Sequence, residues 1–194
     1  MEKKKIIKKI SNRIKKCKKC PLWKDRLNPV VGDGSLDSNL MFIGEAPGRN
    51  EDIKGKPFVG KAGKILDELL NEINVKRKEV YICNIIKCRP SSNRNPKKDE
   101  IRKCSKYLNE QIKLIKPKII APLGNFSSKY IFNKYGLEYE KIGKIHAETF
   151  ISEDSSKITI VPLYHPAAAI YNPNKKKVLL EDIKKLRENV FMHF

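Results

Sequence analysis

Four short apolar runs punctuate the chain: "LMFI" closing at Gly44, "VYICNII" from Val80, "KIIAP" from Lys118 and "ITIVPL" from Ile158. Each ends in loop residues, which predicts strands over Leu40–Gly44, Val80–Ile85, Lys118–Pro122 and Ile158–Leu163. Helical spacing of apolar residues falls between and after them, near Lys61–Ile73, Lys97–Ile115, Gly124–Asn133 and Lys175–Val190. Alternating strands and helices build a mostly parallel sheet with both faces covered, an α/β architecture. At 194 residues the chain is long enough for one such domain with a real core.

In such sheets ligands sit beyond the carboxyl ends of the strands, and the unusual residues of this sequence gather there. After the first strand come Glu45, Ala46, Pro47 and Gly48, then Glu51, Asp52 and, in "KPFVG", Phe58. The spacing matches neither G-x-G-x-x-G nor G-x-x-x-x-G-K-[ST], so this is not a common phosphate loop. The second strand brings Asn84 and then "RPSSNRNP", with Asn93; the fourth leads into "YHPAAAIYNP", with His165. Together they offer an aromatic plate, an amide, carboxylates, an imidazole and glycines that allow close backbone approach at Gly44, Gly48 and Gly60. A flat heterocycle suits these parts. Singly, each has an ordinary alternative: Phe58 as a core plug, Asn84 as a turn residue, Glu51 and Asp52 as surface or capping acids, His165 as a core histidine. His146 is expected to have a structural role only.

Cys17 and Cys20 form C-x2-C, and Cys88 and Cys104 follow at C-x15-C; Cys83 stands mid-strand and is expected in the core. An odd count argues against a disulfide framework. Four thiolates on one site fit structural zinc or an iron–sulfur cluster. Neighbouring cations, among them Lys18, Lys19, Lys87, Arg89 and Lys103, favour the deprotonated ligand.

Forty-two Lys and Arg against 22 Asp and Glu leave a net charge of +20, which draws polyanions, nucleic acid first. No run of eighteen apolar residues exists, so no membrane span is expected. The start, "MEKKKIIKKISNRIKK", lacks the apolar region and cleavage site of a signal peptide. Its Ile6, Ile7, Ile10 and Ile14 instead predict an amphipathic helix lying on the domain. The expected location is cytoplasmic, in association with DNA.

These motifs, taken in order, resemble the family 4 uracil-DNA glycosylases, the iron–sulfur-containing branch of the uracil-DNA glycosylase superfamily. The resemblance runs from "CKKCPLW" through "GEAPGRNEDIKGKPFVGKAG", "VYICNIIKCRP", "NRNP" and Cys104 to "YHPAA". It implies a three-layer α/β/α sandwich around a mostly parallel four-stranded sheet, in a single domain spanning 1–194. It implies a [4Fe-4S] cluster on Cys17, Cys20, Cys88 and Cys104 that ties in the N-terminal segment. It also implies hydrolytic removal of uracil from DNA. Phe58 would stack on the base, Asn84 would read its O4/N3 edge, and His165 would stabilise the departing anion. Glu45, Ala46 and Gly48 would border the base and the attacking water. Because Ala46 stands where another branch of the superfamily has an aspartate, Glu51 and Asn93 become the candidates for positioning water. The family's duplex-wedging leucine is replaced, with Ala169 at the expected place and Ile170 or Tyr171 able to fill the gap.

The expected enzyme is a monomeric, monofunctional glycosylase that leaves an abasic site, with replication proteins as plausible partners. The alternative is a non-catalytic iron–sulfur or zinc DNA-binding module associated with replication. A covalent uracil-capturing sibling would need a histidine-bearing insertion before "HP", which is absent, and a zinc deaminase would need H-x-E together with P-C-x-x-C, whereas Pro21 here follows its C-x2-C.

Overall fold

The computed structural model describes residues 2–155 and 157–191. Its centre is strand β2 (Leu40–Gly44), buried at every position. β2 pairs in parallel with β3 (Tyr81–Asn84) on one side and with β4 (Ile119–Pro122) on the other. β6 (Thr159–Ile160) continues the parallel order beyond β4. These are the four strands expected, but the sheet has six. β1 (Asp33–Gly34) pairs antiparallel on β3, and β5 (Phe150–Ile151) antiparallel on β6. Two-residue edge strands blunt the sheet's ends, where open N–H and C=O groups would otherwise invite pairing.

Side-chain alternation along the strands separates two cores. Met41, Ile43, Tyr81, Cys83, Ile120 and Ile160 face one layer. That layer comprises α1 (Glu2–Lys15), α4 (Lys98–Ile115) and α5 (Asn125–Lys134). Leu40, Phe42, Ile82, Ile119, Ala121 and Val161 face the other, which comprises α3 (Lys61–Glu72) and α8 (Pro173–Phe191). The result is three layers, with Cys83 in the core as expected. In α1 the buried positions are Ile10 and Ile14, four apart and turned onto α4. No described helix is long and apolar enough to cross a membrane.

Polar ties fix the outer layers. Lys176 and Lys184 of α8 pair with Glu68 and Glu72 of α3 at 2.7 and 2.8 Å. The imidazole of His146, at the end of α6 (Ile142–Ile145), lies 2.9 Å from the buried carboxylate of Asp182 in α8. His146 thus has the structural part expected of it. The short helices α2 (Arg49–Lys54) and α7 (Ala168–Tyr171) lie in the loops after β2 and β6, at the carboxyl end of the sheet.

Candidate active site

A cleft of about 350 Å³ opens at that end, in the size range of small-molecule sites. Glu45, Ala46, Gly48, Glu51, Phe58, Asn84, Asn93 and His165 all line it. Every strand-end residue singled out from sequence as reading the base or positioning water is therefore brought to one place. Asp52 is not. It is buried beside the cleft, where its Oδ1 accepts the N–H groups of Leu27 and Asn28 at 3.0 and 3.2 Å.

Glycine sets the contact between the plate and the amide. A Cβ on Gly44, the last residue of β2, would collide with Asn84 Oδ1 and would lie 2.8 Å from the tip of the Phe58 ring. Phe58 itself adopts a left-handed φ of 49°, which costs a non-glycine residue about 1 kcal/mol. Its carbonyl rests on Gly63 of α3, where a Cβ would overlap it. The ring stacks against the His165 imidazole, centroids 5.6 Å apart and planes 30° apart.

Asn84 ends β3 and is 2% exposed. Its side-chain amide lines the cleft, while its backbone carbonyl accepts the Lys87 ammonium at 2.8 Å. Lys87 is itself 1% exposed, and its Nζ also donates to Gln111 Oε1 at 2.7 Å. Sequence reasoning gave Lys87 no more than a place among the cations near the cysteines; composition offers no signal for an interior ammonium.

His165 accepts the Ala167 N–H on Nδ1 at 3.1 Å. A neutral imidazole in that bond carries its proton on Nε2. Burial pushes the His165 pKa down to about 4, with the nearby Glu51 carboxylate opposing the fall. The ring is therefore an uncharged donor at neutral pH. Burial also raises the pKa of Glu45.

Glu51 does two things. Its Oε1 accepts the N–H groups of Val59 and Gly60 at 2.8 and 2.9 Å, capping the entry to α3. Its Oε2 points to Gly48, where an added Cβ would stand 2.8 Å from it. The capping alternative is thus realised on one oxygen and leaves the other in the cleft. Across from it, Asn93 holds a left-handed φ of 54° and accepts Arg89 Nε on its Oδ1 at 2.8 Å. Its NH2 group remains for the cleft. The loop is anchored by Arg94, bidentate on the buried Glu100 of α4 at 2.7 and 2.9 Å. In α7, Ala169 packs onto the α3–α8 core, whereas Tyr171 at the end of that helix is 87% exposed.

Cys17, Cys20, Cys88 and Cys104 line a second pocket, between the end of α1, the loop after β3 and α4. Cys104 Sγ accepts the Lys87 N–H at 3.2 Å and Cys88 Sγ accepts Arg26 Nη1 at 3.0 Å. Such bonds to sulfur typify ligand thiolates. Burial raises the pKa of the bare Cys20 and Cys88 thiols and pushes Cys104 up to about 12. This reverses the expectation from neighbouring cations: desolvation outweighs the lysines, and deprotonation needs a positive partner inside the pocket. Among the described residues no three His, Cys, Asp or Glu groups converge on a single metal ion. Four thiols nonetheless line this one pocket, a donor set of the kind that holds a metal group.

The family model for the uracil DNA glycosylase superfamily matches residues 31–187. The chain is 50% identical to a type-4 uracil-DNA glycosylase of Sulfurisphaera tokodaii, over 94% of this chain and 84% of that one. It is 51% identical to that of Saccharolobus solfataricus, over 92% and 84%. Against the Thermotoga maritima enzyme of the same description it is 39% identical, over 92% and 91%.

Proposed function

Because the chain belongs to the uracil-DNA glycosylase superfamily, in its type-4 branch, we propose that it hydrolyses the N-glycosidic bond of uracil in DNA and leaves an abasic site. The observation that carries this reading is the meeting of Phe58, Asn84 and His165 in one cleft with a carboxylate oxygen of Glu51. DNA phosphates bind the basic surface, and the target nucleotide leaves the stack at a cost of roughly a few kcal/mol. The uracil ring lies on Phe58. The Asn84 amide pairs with its O4 and N3–H, whereas cytosine presents an amino group where O4 would be and leaves a donor facing a donor. The wall formed by Glu45, Ala46 and Gly48 closes the slot on the sugar side.

As the glycosidic bond lengthens, charge moves onto the base and the sugar becomes cation-like. His165 donates from Nε2 to O2 of the leaving uracil. A neutral donor is stationed where negative charge develops, and its effect is strongest with water excluded. Glu51 Oε2 orients the attacking water and faces the developing cation; the Asn93 NH2 group supports that water. No lysine nucleophile enters the scheme, so the strand stays intact. Tyr171 takes the wedge position that the core-packed Ala169 cannot.

The four cysteines would hold a [4Fe-4S] cluster, which when bound supplies a cross-link between the N-terminal segment, the loop after β3 and α4. The chemistry at the base does not pass through it. The test is incubation with a uracil-containing oligonucleotide followed by alkali. Cleavage confined to uracil is the expected result, with His165→Ala and Asn84→Ala each slower by about 10²–10³. Full rates in both variants would overturn the site assignment; no cleavage by the wild-type protein would overturn the function.

A further inference from the structure

The largest cleft described so far is not the largest on the molecule. A second, of about 750 Å³, lies at the other pole of the sheet, before the first residues of β4 and β6. Lys113, Lys116, Lys118, Lys134 and Lys157 surround it, with Asp154 as the acid in its wall. The catalytic cleft is at the opposite ends of the same strands. At roughly 3.3 Å per residue, the run from Lys118 to Leu123 sets the two clefts about 17 Å apart along the strands.

Some lysines elsewhere are paired, as Lys3, Lys103, Lys144, Lys176 and Lys184 are with carboxylates at 2.6–2.8 Å. Lys113, Lys116 and Lys157 make no such pair among the described residues. Lys116 closes α4 at φ 56° and Lys157 turns the chain before β6 at φ 48°, left-handed positions that favour Gly or Asn. Lysine there sacrifices backbone comfort and retains charge. Lys134 lies at the same cleft, where burial depresses its pKa, Asp154 opposing the fall and Lys113 adding to it. Like charges gathered in a concavity raise the potential there and favour an anionic occupant.

The lining also indicates which anion. It consists of ammonium groups, which are point charges without the planar fork of arginine. Its aromatic residue, Tyr135, is buried and offers no face for a base. A row of phosphates fits, whereas a stacked nucleotide does not. We propose that this cleft is a second nucleic-acid backbone site, holding a DNA segment other than the one in the catalytic cleft, so that one molecule bridges two segments. The assignment is independent of base excision, and its test uses DNA without uracil, so failure here and failure of the glycosylase reading are distinguishable.

Two short uracil-free duplexes, one carrying a donor dye and one an acceptor, are mixed with the full chain at low salt. Wild-type protein is expected to bring the dyes together, and excess DNA to separate them. The comparison is the triple variant Lys113→Gln, Lys116→Gly, Lys157→Gly, whose glycines suit the two left-handed positions. It is expected to lose energy transfer while excising uracil from a short duplex at the wild-type rate. The slope of log K against log salt for the second binding event should fall by about 3. Energy transfer unchanged in the variant, none with wild-type protein, or a parallel loss of short-duplex excision would each overturn the proposal.

Discussion

At the scale of single residues, the site is a set of groups whose states are decided by one neighbour each. The Ala167 N–H selects the His165 tautomer, and burial keeps the ring uncharged. The folded pKa of about 4 lies below the 6.5 of an exposed imidazole. As pH falls through 6.5 the unfolded chain takes up a proton that the folded chain refuses, so stability drops progressively until about 4. Ring NMR should show His165 neutral throughout that window, and His165→Gln should flatten that part of the stability profile. A titration near 6.5 would contradict the assignment. Tyr171 belongs to the same scale. A side chain 87% exposed has little to do for folding. Tyr171→Ala should leave the melting temperature unchanged and slow excision from double-stranded DNA about tenfold more than from single strands, the cost of roughly 1.4 kcal/mol of lost support for the flipped state.

At the scale of elements, α3 and the loop before it position the Phe58 ring, the proposed stacking plate for the base. Gly63 lets the helix start directly under the Phe58 carbonyl. Gly63→Ala should destabilise the fold by about 1–3 kcal/mol, the range for forcing atoms into a packed site. It should also raise KM for uracil-DNA as Phe58 is displaced; denaturant melts and steady-state kinetics measure the two effects. The elements also show what the sequence makes legible. The four inner strands are apolar runs because both their faces are covered, so their places along the chain and the strand-end loops could be read directly. β1 is Asp33–Gly34 and carries no apolar run, and β5 is only Phe150–Ile151, so neither stands out from its surrounding loop. The site residues were legible as a group because strand ends are where binding groups collect. The capping bond of Glu51 and the interior place of Lys87 were not, since each depends on a partner distant in sequence or on burial that a charged side chain ordinarily avoids.

At the scale of the whole molecule, the N-terminal segment is held by apolar packing on α4 and by the ion pairs Arg13–Glu110 and Lys3–Asp37. α1 rests on α4 through Ile10 and Ile14, and Arg26 links the Lys15 carbonyl to the Cys88 sulfur. A cluster on the four thiols would supply the remaining fixture. Purified protein should therefore contain iron and absorb visible light. Cys17→Ser should lower iron content and expose the first twenty or so residues to protease, sites of the kind that loosened termini offer. Equal protease resistance with iron lost would show that packing alone holds the segment.

Lys87 has a consequence that reaches across these scales. Its backbone N–H is bound to the sulfur of Cys104, and its ammonium to the carbonyl of Asn84. One residue thus spans the thiol pocket and the strand end that carries the Asn84 amide, like a strut between a hinge and a gauge. In the proposed reading of the base by that amide, rigidity is inherited from the cysteines: wear at the anchoring end would loosen the measurement made at the other.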